Sequence, residues 1–209
     1  MSQDPGDPGD EARDEPVGRL PPLTPAVLEP HQRELYSEIV GGPRASGPLS
    51  LMDRQQRLLG PFNALLHAPG IGAAVEQLGA ALRFRGAVAA RTRELVICAV
   101  SAHWGSAFEW YAHSKIAADV GVTPEELQLV RAGQIPDGLA AEELVAMRFA
   151  RALLEDRQVD RSLYDEVVGK HGPAGLVELS VLVGHYQLLA GLLAADDVPA
   201  PGGVDPFTG

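Results

Sequence analysis

The sequence predicts an all-α protein with a compact multi-helix fold. No stretch shows the alternation of apolar and polar residues that a half-buried strand requires. The segment 88–104, VAARTRELVICAVSAHW, is apolar nearly all round after its first residues, which is typical of a helix inside a core. The motif TPEE is a helix start, because Thr123 can cap the helix, Pro124 suits its first turn and Glu126 completes a capping box. All three observations favour helices over strands.

The chain divides into one domain and two flanking segments. Its 209 residues suit a single domain with a substantial core. Residues 1–29 are rich in Pro, Gly and Asp, so we expect a disordered or loosely packed acidic arm. We expect residues 30–195 to form the helical domain and residues 196–209 to form a C-terminal tail.

Local signals place the helices in order along the domain. Pro30 fits the first turn of a helix that ends near Gly41, and Pro61 fits the start of another helix. Gly121 is a good helix terminator, and Asp160 is a suitable cap. The predicted helices cover about 30–41, 53–67 or its second half, 71–85, 88–104, 107–120, 124–133, 139–156, 160–170 and 173–195.

Charge argues against a nucleic-acid partner. The formal net charge is −11, and the first sixteen residues hold six acids against one arginine. Nearly half of the excess charge therefore lies in the predicted arm. The remainder is still acidic, whereas nucleic-acid binding needs a basic surface.

Cysteine content and hydropathy indicate in which cellular compartment the protein is expected. The single cysteine, Cys98, allows neither an intrachain disulfide nor a thiolate metal cluster, and it fits a cytoplasmic location. The acidic N-terminus lacks the apolar core of a secretory signal.

The apolar run 173–195 is long enough to span a bilayer. Glu178, His185 and Gln187 within it are costly in lipid, so we expect a buried helix and no membrane partner. Glu178 and His185 lie two turns apart, a spacing too generic to predict a metal site.

The stretch SAFEWYAHSK, residues 106–115, contains the strongest candidate for an acid–base site. Glu109 and His113 are one helical turn apart, so both lie on the same helix face. Glu94 opens an apolar stretch, where a carboxyl group should have a raised pKa unless it is paired. A carboxyl group of raised pKa beside a histidine is a common arrangement for proton transfer near neutral pH.

The order of these residues resembles a known superfamily. Glu94, eleven residues, Ser106, two residues, Glu109, three residues and His113 is similar to the pattern of the carboxymuconolactone decarboxylase / alkyl hydroperoxidase D superfamily. The segments 91–127 and GPFNALLHAPGIG at 60–72 also resemble its core, and the likeness covers about residues 50–195.

The departures from that pattern matter for the reaction. The peroxidase branch has two cysteines where this chain has Ser106 and Glu109. Thiol peroxidase chemistry needs one thiolate that is oxidised and a second thiol that resolves it, so the substitution argues against that activity. The remaining pattern is similar to the decarboxylase branch, which needs no metal or organic cofactor.

The resemblance implies a cofactor-independent lyase that acts on a small-molecule substrate. In that branch a lactone bearing a carboxylate loses carbon dioxide, and the resulting dienolate is reprotonated. By this likeness His113 is the first choice for the proton donor, Glu94 orients it or joins the relay, and Glu109 is a second acid–base group. The resemblance also implies homotrimers or homohexamers that form through helix packing.

The sequence indicates the substrate-binding residues less directly than the acid–base residues. The candidates for the substrate-binding wall are Asn63, Trp104, Trp110 and Ser106, although Ser106 is also a suitable helix cap. A retained substrate carboxylate would need a basic partner, and the sequence does not choose among Arg83, Arg85, Arg91 and Arg93.

Three alternatives to a decarboxylase stay open at this stage. The same acid–base residues suit an isomerase or a cyclase acting on a lactone, enol or keto acid. The fold could be retained in a non-catalytic ligand-binding or structural protein, since fold alone does not assign function. The third alternative is a peroxide-reactive protein that uses Cys98 alone.

Overall fold

The computed structural model describes residues 18–47 and 49–208. Within these ranges the chain forms eight α-helices and no strand, which confirms the predicted all-α class. The helices are α1 (Pro30–Gly41), α2 (Pro61–Leu66), α3 (Pro69–Phe84), α4 (Ala90–Trp104), α5 (Ala107–Asp119), α6 (Pro124–Arg131), α7 (Ala141–Arg151) and α8 (Arg161–Asp196).

Helix α4 lies at the centre of the main core. Its residues Leu95, Val96 and Ile97 are fully buried, as the apolar pattern of this segment predicts. Helices α5, α6, α7 and α8 all pack against it. Burial on every side explains why this helix shows almost no amphipathic pattern.

A second, smaller core joins α1, α2 and α3. Leu35 and Ile39 of α1 and Leu66 of α2 are buried there. Of the predicted helix over 53–67, only the second half forms, because residues 53–59 are a turn closed by the buried ion pair of Asp53 and Arg57. The functional cavity described below lies where this second core meets α5 and α8.

Helix ends follow the predicted capping chemistry. Thr123 Oγ1 accepts a hydrogen bond from the Glu126 amide at 3.2 Å, and the Glu126 carboxylate accepts one from the Thr123 amide at 2.8 Å. Asp160 accepts the Leu163 amide at 2.8 Å at the start of α8. The N-terminal caps predicted at Thr123 and Asp160 are therefore present.

Helix α8 is interrupted at Gly172. This residue has a φ of 70° and is followed by Pro173, which has no amide hydrogen to continue the helical bonding. The two predicted helices over 160–170 and 173–195 correspond to its two halves. By length and composition α8 could also cross a bilayer, and in the fold its residues Leu179 and Leu182 are buried in the main core.

The described part of the predicted arm differs from the expectation of loose packing. The Arg19 amide donates to the Asp196 carbonyl, and the Leu23 amide donates to Asn63 Oδ1 at 3.0 Å. Leu28 is buried in the smaller core. This segment therefore packs on the domain, although its Pro- and Gly-rich composition predicts loose packing. Residues 1–17 of the predicted arm lie outside the described residues.

Candidate functional site

A cavity of about 230 Å³ lies between the two cores. Residues of α2, α3, α5, α8 and the loop over 49–59 line it, and most of these side chains are apolar. Glu109 and His113 are on its wall. Such a largely apolar pocket with a few convergent polar groups is typical of a small-molecule site.

Glu94 and His113 form the central contact of the site. His113 Nδ1 and Glu94 Oε2 are 2.7 Å apart, and both side chains are buried. Glu94 comes from α4 and His113 from α5, so the packing of these two helices fixes the pair. A carboxylate only accepts hydrogen bonds, so Nδ1 carries the proton and Nε2 is the nitrogen left for chemistry.

The surroundings of Glu94 favour its charged form. Burial pushes the pKa of this carboxyl up, but His113 together with Arg83 and Arg93 outweighs burial and lowers the pKa below its ordinary value. Arg93 Nε also donates to Glu94 Oε1 at 3.3 Å. The carboxyl that was expected to have a raised pKa unless paired is therefore paired twice.

The surroundings of Glu109, in contrast to those of Glu94, disfavour the charged form of its carboxyl group. Its Oε2 lies 3.5 Å from His113 Nε2, on the side of the imidazole away from Glu94. Burial raises the pKa of the Glu109 carboxyl, and the nearby basic side chains, including His113 and Arg44, only partly offset this. Two carboxyl groups whose environments separate their pKa values are a common acid–base arrangement.

Tyr186 completes the packing around the imidazole and was not identified from the sequence. Its ring meets that of His113 edge to face, with centroids 4.9 Å apart. Burial raises the pKa of the Tyr186 phenol, so it stays protonated. It lies on α8 more than seventy residues after His113 in the chain, and no motif connects the two.

Of the four arginine candidates, Arg83 alone lines the cavity. Arg91 is held by Glu126 and Glu143, each at 2.6 Å, and Arg93 contacts Glu94. Arg85 is exposed. Arg44, which the sequence did not single out, also lines the cavity, but it is paired with Glu76 at 3.0 Å.

The predicted substrate-binding residues lie elsewhere. Asn63 binds the Leu23 amide and the Pro21 carbonyl, so it anchors the N-terminal segment. Trp104 is 44% exposed at the end of α4, and Trp110 packs edge to face on Phe207 of the tail. None of these three side chains lines the cavity.

Ser106 is also outside the cavity. It occupies the cap position of α5, but its side chain makes no capping hydrogen bond. Its Oγ is buried and has no hydrogen-bond partner. The side-chain cap considered for Ser106 is therefore not formed, and its backbone amide donates to the Ser101 carbonyl in the tight turn after α4.

Cys98 lies in the core next to the site and not in the cavity. It is fully buried, and burial together with the charge of Glu94 raises the pKa of its thiol. A reactive thiol needs access and a stabilised thiolate, and this position offers neither. Among residues 18–47 and 49–208, no cluster of three or more His, Cys, Asp or Glu residues has the geometry to hold a metal ion.

Comparison with known proteins supports the predicted resemblance. Residues 69–152 match the model of the carboxymuconolactone decarboxylase family, a span that contains Arg83, Glu94, Glu109 and His113. No curated protein matches the chain.

Solved structures show a similar fold. An uncharacterized peroxidase-related protein from Ralstonia eutropha JMP134, with an alkylhydroperoxidase AhpD core, is 17% identical with a TM-score of 0.71, over 91% of this chain and 98% of that chain. A putative antioxidant defence protein AhpD from Agrobacterium tumefaciens is 15% identical with a TM-score of 0.60, over 66% and 96%. The debrominase Bmp8 is 17% identical with a TM-score of 0.64, over 87% and 91%. These likenesses confirm the alkyl hydroperoxidase D-like fold.

Proposed function

We propose that this chain, which carries a carboxymuconolactone decarboxylase-like region on an alkyl hydroperoxidase D-like fold, is a cofactor-independent enzyme. It uses Glu94, His113 and Glu109 for decarboxylation or proton transfer on a lactone, enol or keto acid. The observation that supports this proposal is one buried imidazole held between two carboxyl groups on the wall of an apolar cavity.

The geometry suits proton delivery through His113 Nε2. Glu94 holds Nδ1 and stabilises the imidazolium that forms when Nε2 takes up a proton. Glu109 lies within reach of Nε2, and its raised pKa keeps a proton available there at higher pH than an exposed glutamate would. Tyr186 restricts the rotation of the ring. Glu94 therefore acts as a positioning residue, while His113 and Glu109 are the groups that meet the substrate.

The decarboxylation would proceed without any external electron carrier. The bond between the carboxylate carbon and its neighbour breaks, carbon dioxide leaves, and the bonding electron pair passes into the conjugated carbonyl as an enolate. The enolate carbon then takes a proton from His113 or Glu109, and solvent returns that proton to the site. Proton transfer alone would use the same groups, with one removing a proton from carbon and the other delivering it. The largely apolar wall limits competition from water.

Cys98 does not support a peroxide-dependent reaction. Its burial and the raised pKa of its thiol disfavour the thiolate that attacks a peroxide. The proposed function therefore requires no contribution from this residue.

The first experiment is a turnover screen in deuterated water. The full chain is incubated with a panel of lactone, enol and β-keto acids, and carbon dioxide release and deuterium incorporation at carbon are followed by mass spectrometry. We expect at least one acid to lose carbon dioxide or to exchange, and Cys98→Ser to react at the same rate as the wild type. Inertness of every acid would favour a binding protein, and peroxide consumption lost in Cys98→Ser would favour the redox alternative.

A further inference from the structure

The wall of the cavity carries two further polar side chains that the acid–base groups do not use. They are Arg83 of α3 and His185 of α8. We infer that Arg83 and His185 form a carboxylate-binding subsite that selects substrates with a single carboxylate and an otherwise apolar body. This inference rests on the proposed function and narrows its substrate class.

Arg83 is the cation of the cavity without a close anionic partner. Its Nε is buried and has no hydrogen-bond partner, and no described acid lies within ion-pair distance of it. Glu94 is already bonded to His113 and Arg93, and the raised pKa of Glu109 favours its neutral form. The residue as a whole is partly exposed, and a cation whose buried Nε lacks a partner favours an anionic ligand.

His185 adds a neutral hydrogen-bonding group. It is 5% exposed, and its buried Nδ1 has no hydrogen-bond partner. Burial, with Arg44 and His113 nearby, lowers its pKa to about 4, so the imidazole is uncharged at neutral pH. A neutral imidazole can donate one hydrogen bond to a carboxylate oxygen without adding a second positive charge.

Gly79 makes room for His185 and Arg44. A Cβ atom at this position of α3 would lie 2.9 Å from His185 Nε2 and 2.6 Å from Arg44 Nη2. The absence of a side chain therefore lets both groups approach the helix. Arg44 is turned to Glu76, with both carboxylate oxygens within 3.1 Å, so these two charges compensate each other.

The charge balance of the wall sets the charge of the ligand. Glu76 compensates Arg44, and Asp53 contacts Arg57. Arg83 contributes a positive charge that neither contact uses. A second carboxylate would meet the acidic residues Asp53, Glu76 and Glu109 or the apolar part of the wall. The apolar part includes Leu51, Met52, Phe62, Leu65, Phe108 and Ile116.

The subsite also favours one of the two proposed reactions. Arg83 would stabilise a bound carboxylate in the ground state, whereas loss of carbon dioxide is accelerated when the departing carboxylate is poorly stabilised. An acid whose only carboxylate sits on Arg83 would therefore undergo proton transfer more readily than decarboxylation. Isomerisation or cyclisation of a monocarboxylic acid is the reaction class that follows.

Binding can be measured separately from turnover with three probes of one ring size. Benzoate carries one carboxylate, benzamide is its neutral analogue and terephthalate carries two carboxylates. Titration calorimetry at pH 7 on His113→Gln, in which turnover is disabled, should show saturable binding of benzoate and weaker binding of the other two. Equal or tighter binding of benzamide or terephthalate, or no saturable binding of benzoate, would overturn the inference.

Variants then identify the residues responsible. Arg83→Met should weaken benzoate binding about tenfold or more, as expected for the loss of a charge-assisted hydrogen bond, and should leave benzamide binding unchanged. His185→Phe, which keeps a ring against Tyr186, should weaken benzoate binding severalfold, and Arg83→Lys should retain part of the affinity. Arg85→Met is the matched control, since this exposed arginine ends the same helix outside the cavity. Unchanged benzoate affinity in Arg83→Met, or an equal loss in Arg85→Met, would contradict the assignment.

The two proposals fail in different ways. Arg83-dependent benzoate binding in a protein that turns over no acid would remove the proposed function and leave the subsite. Turnover by a protein in which ligand affinity is independent of Arg83 would remove the subsite and leave the proposed function.

Discussion

Glu94 and Glu109 lie on opposite sides of one imidazole, yet their pKa values move in opposite directions. The cause is the set of partners that each carboxyl has after burial. Glu94 has a short hydrogen bond to His113 and a second contact to Arg93, whereas Glu109 has only a 3.5 Å approach to Nε2. Side-chain identity alone would give both the same role, so their different roles come from their surroundings.

His185 makes the stability of the protein depend on pH. Its pKa is about 4 in the folded chain against 6.5 for an ordinary histidine, so between these values the unfolded chain binds a proton that the folded chain excludes. Stability should therefore fall as the pH falls from about 6.5 to about 4. Urea unfolding at pH 7 and 4.5 should show a loss roughly 2 kcal/mol larger for the wild type than for His185→Phe. The same pH dependence in both proteins would contradict the assignment.

The sequence indicated which residues meet around His113 better than it indicated which residues line the cavity. Glu94, Glu109 and His113 follow from spacing along two helices and from the resemblance, and the structure brings all three together. Trp110, a candidate for the substrate-binding wall, directly follows Glu109 in the chain. Neighbours on a helix point about 100° apart, however, and Trp110 turns to Phe207 in the tail.

Between elements, Arg91 holds three helices together. From the start of α4 its guanidinium contacts Glu126 of α6 and Glu143 of α7, and it also donates to the Gly121 carbonyl. This explains why Arg91, one of the candidates for a substrate carboxylate, is not available to the cavity. Four consecutive residues predict the capping box at Thr123. Arg91, which binds Glu126 of that capping box, lies more than thirty residues earlier in the chain, so the motif does not predict this contact.

Replacement of Arg91 tests this connection. Arg91→Met should lower the free energy of unfolding by about 1–3 kcal/mol, because two partly buried carboxylates lose a charged partner. Arg161→Met is the matched control, since Arg161 also bonds to a carboxylate but on the exposed surface of α8. Denaturant unfolding should show a clearly smaller effect for the control. An equally small effect of Arg91→Met would show that the helices do not depend on this contact.

Over the whole molecule, the cavity is assembled from segments that are far apart in the chain. The region matched by the family model, residues 69–152, supplies Glu109, His113 and Arg83. Arg44 comes from before it, and His185 and Tyr186 come from after it. Periodicity and caps describe one segment at a time, so they predict the helices and not which distant side chains meet. The all-α class was predictable for that reason. The presence of Arg83 and His185 on the wall of one cavity was not.

The central claim is that His113 moves the proton in the reaction of this protein. The direct measurement is kcat/KM for the first acid that the wild type turns over or exchanges, compared among the wild type, His113→Gln and His31→Gln. His31 is the matched control, because it forms a similar contact with Glu34 at 3.2 Å on the exposed face of α1. We predict a loss of at least about 100-fold for His113→Gln, with melting unchanged, and wild-type activity for His31→Gln. Activity of His113→Gln within a few-fold of the wild type would contradict the account.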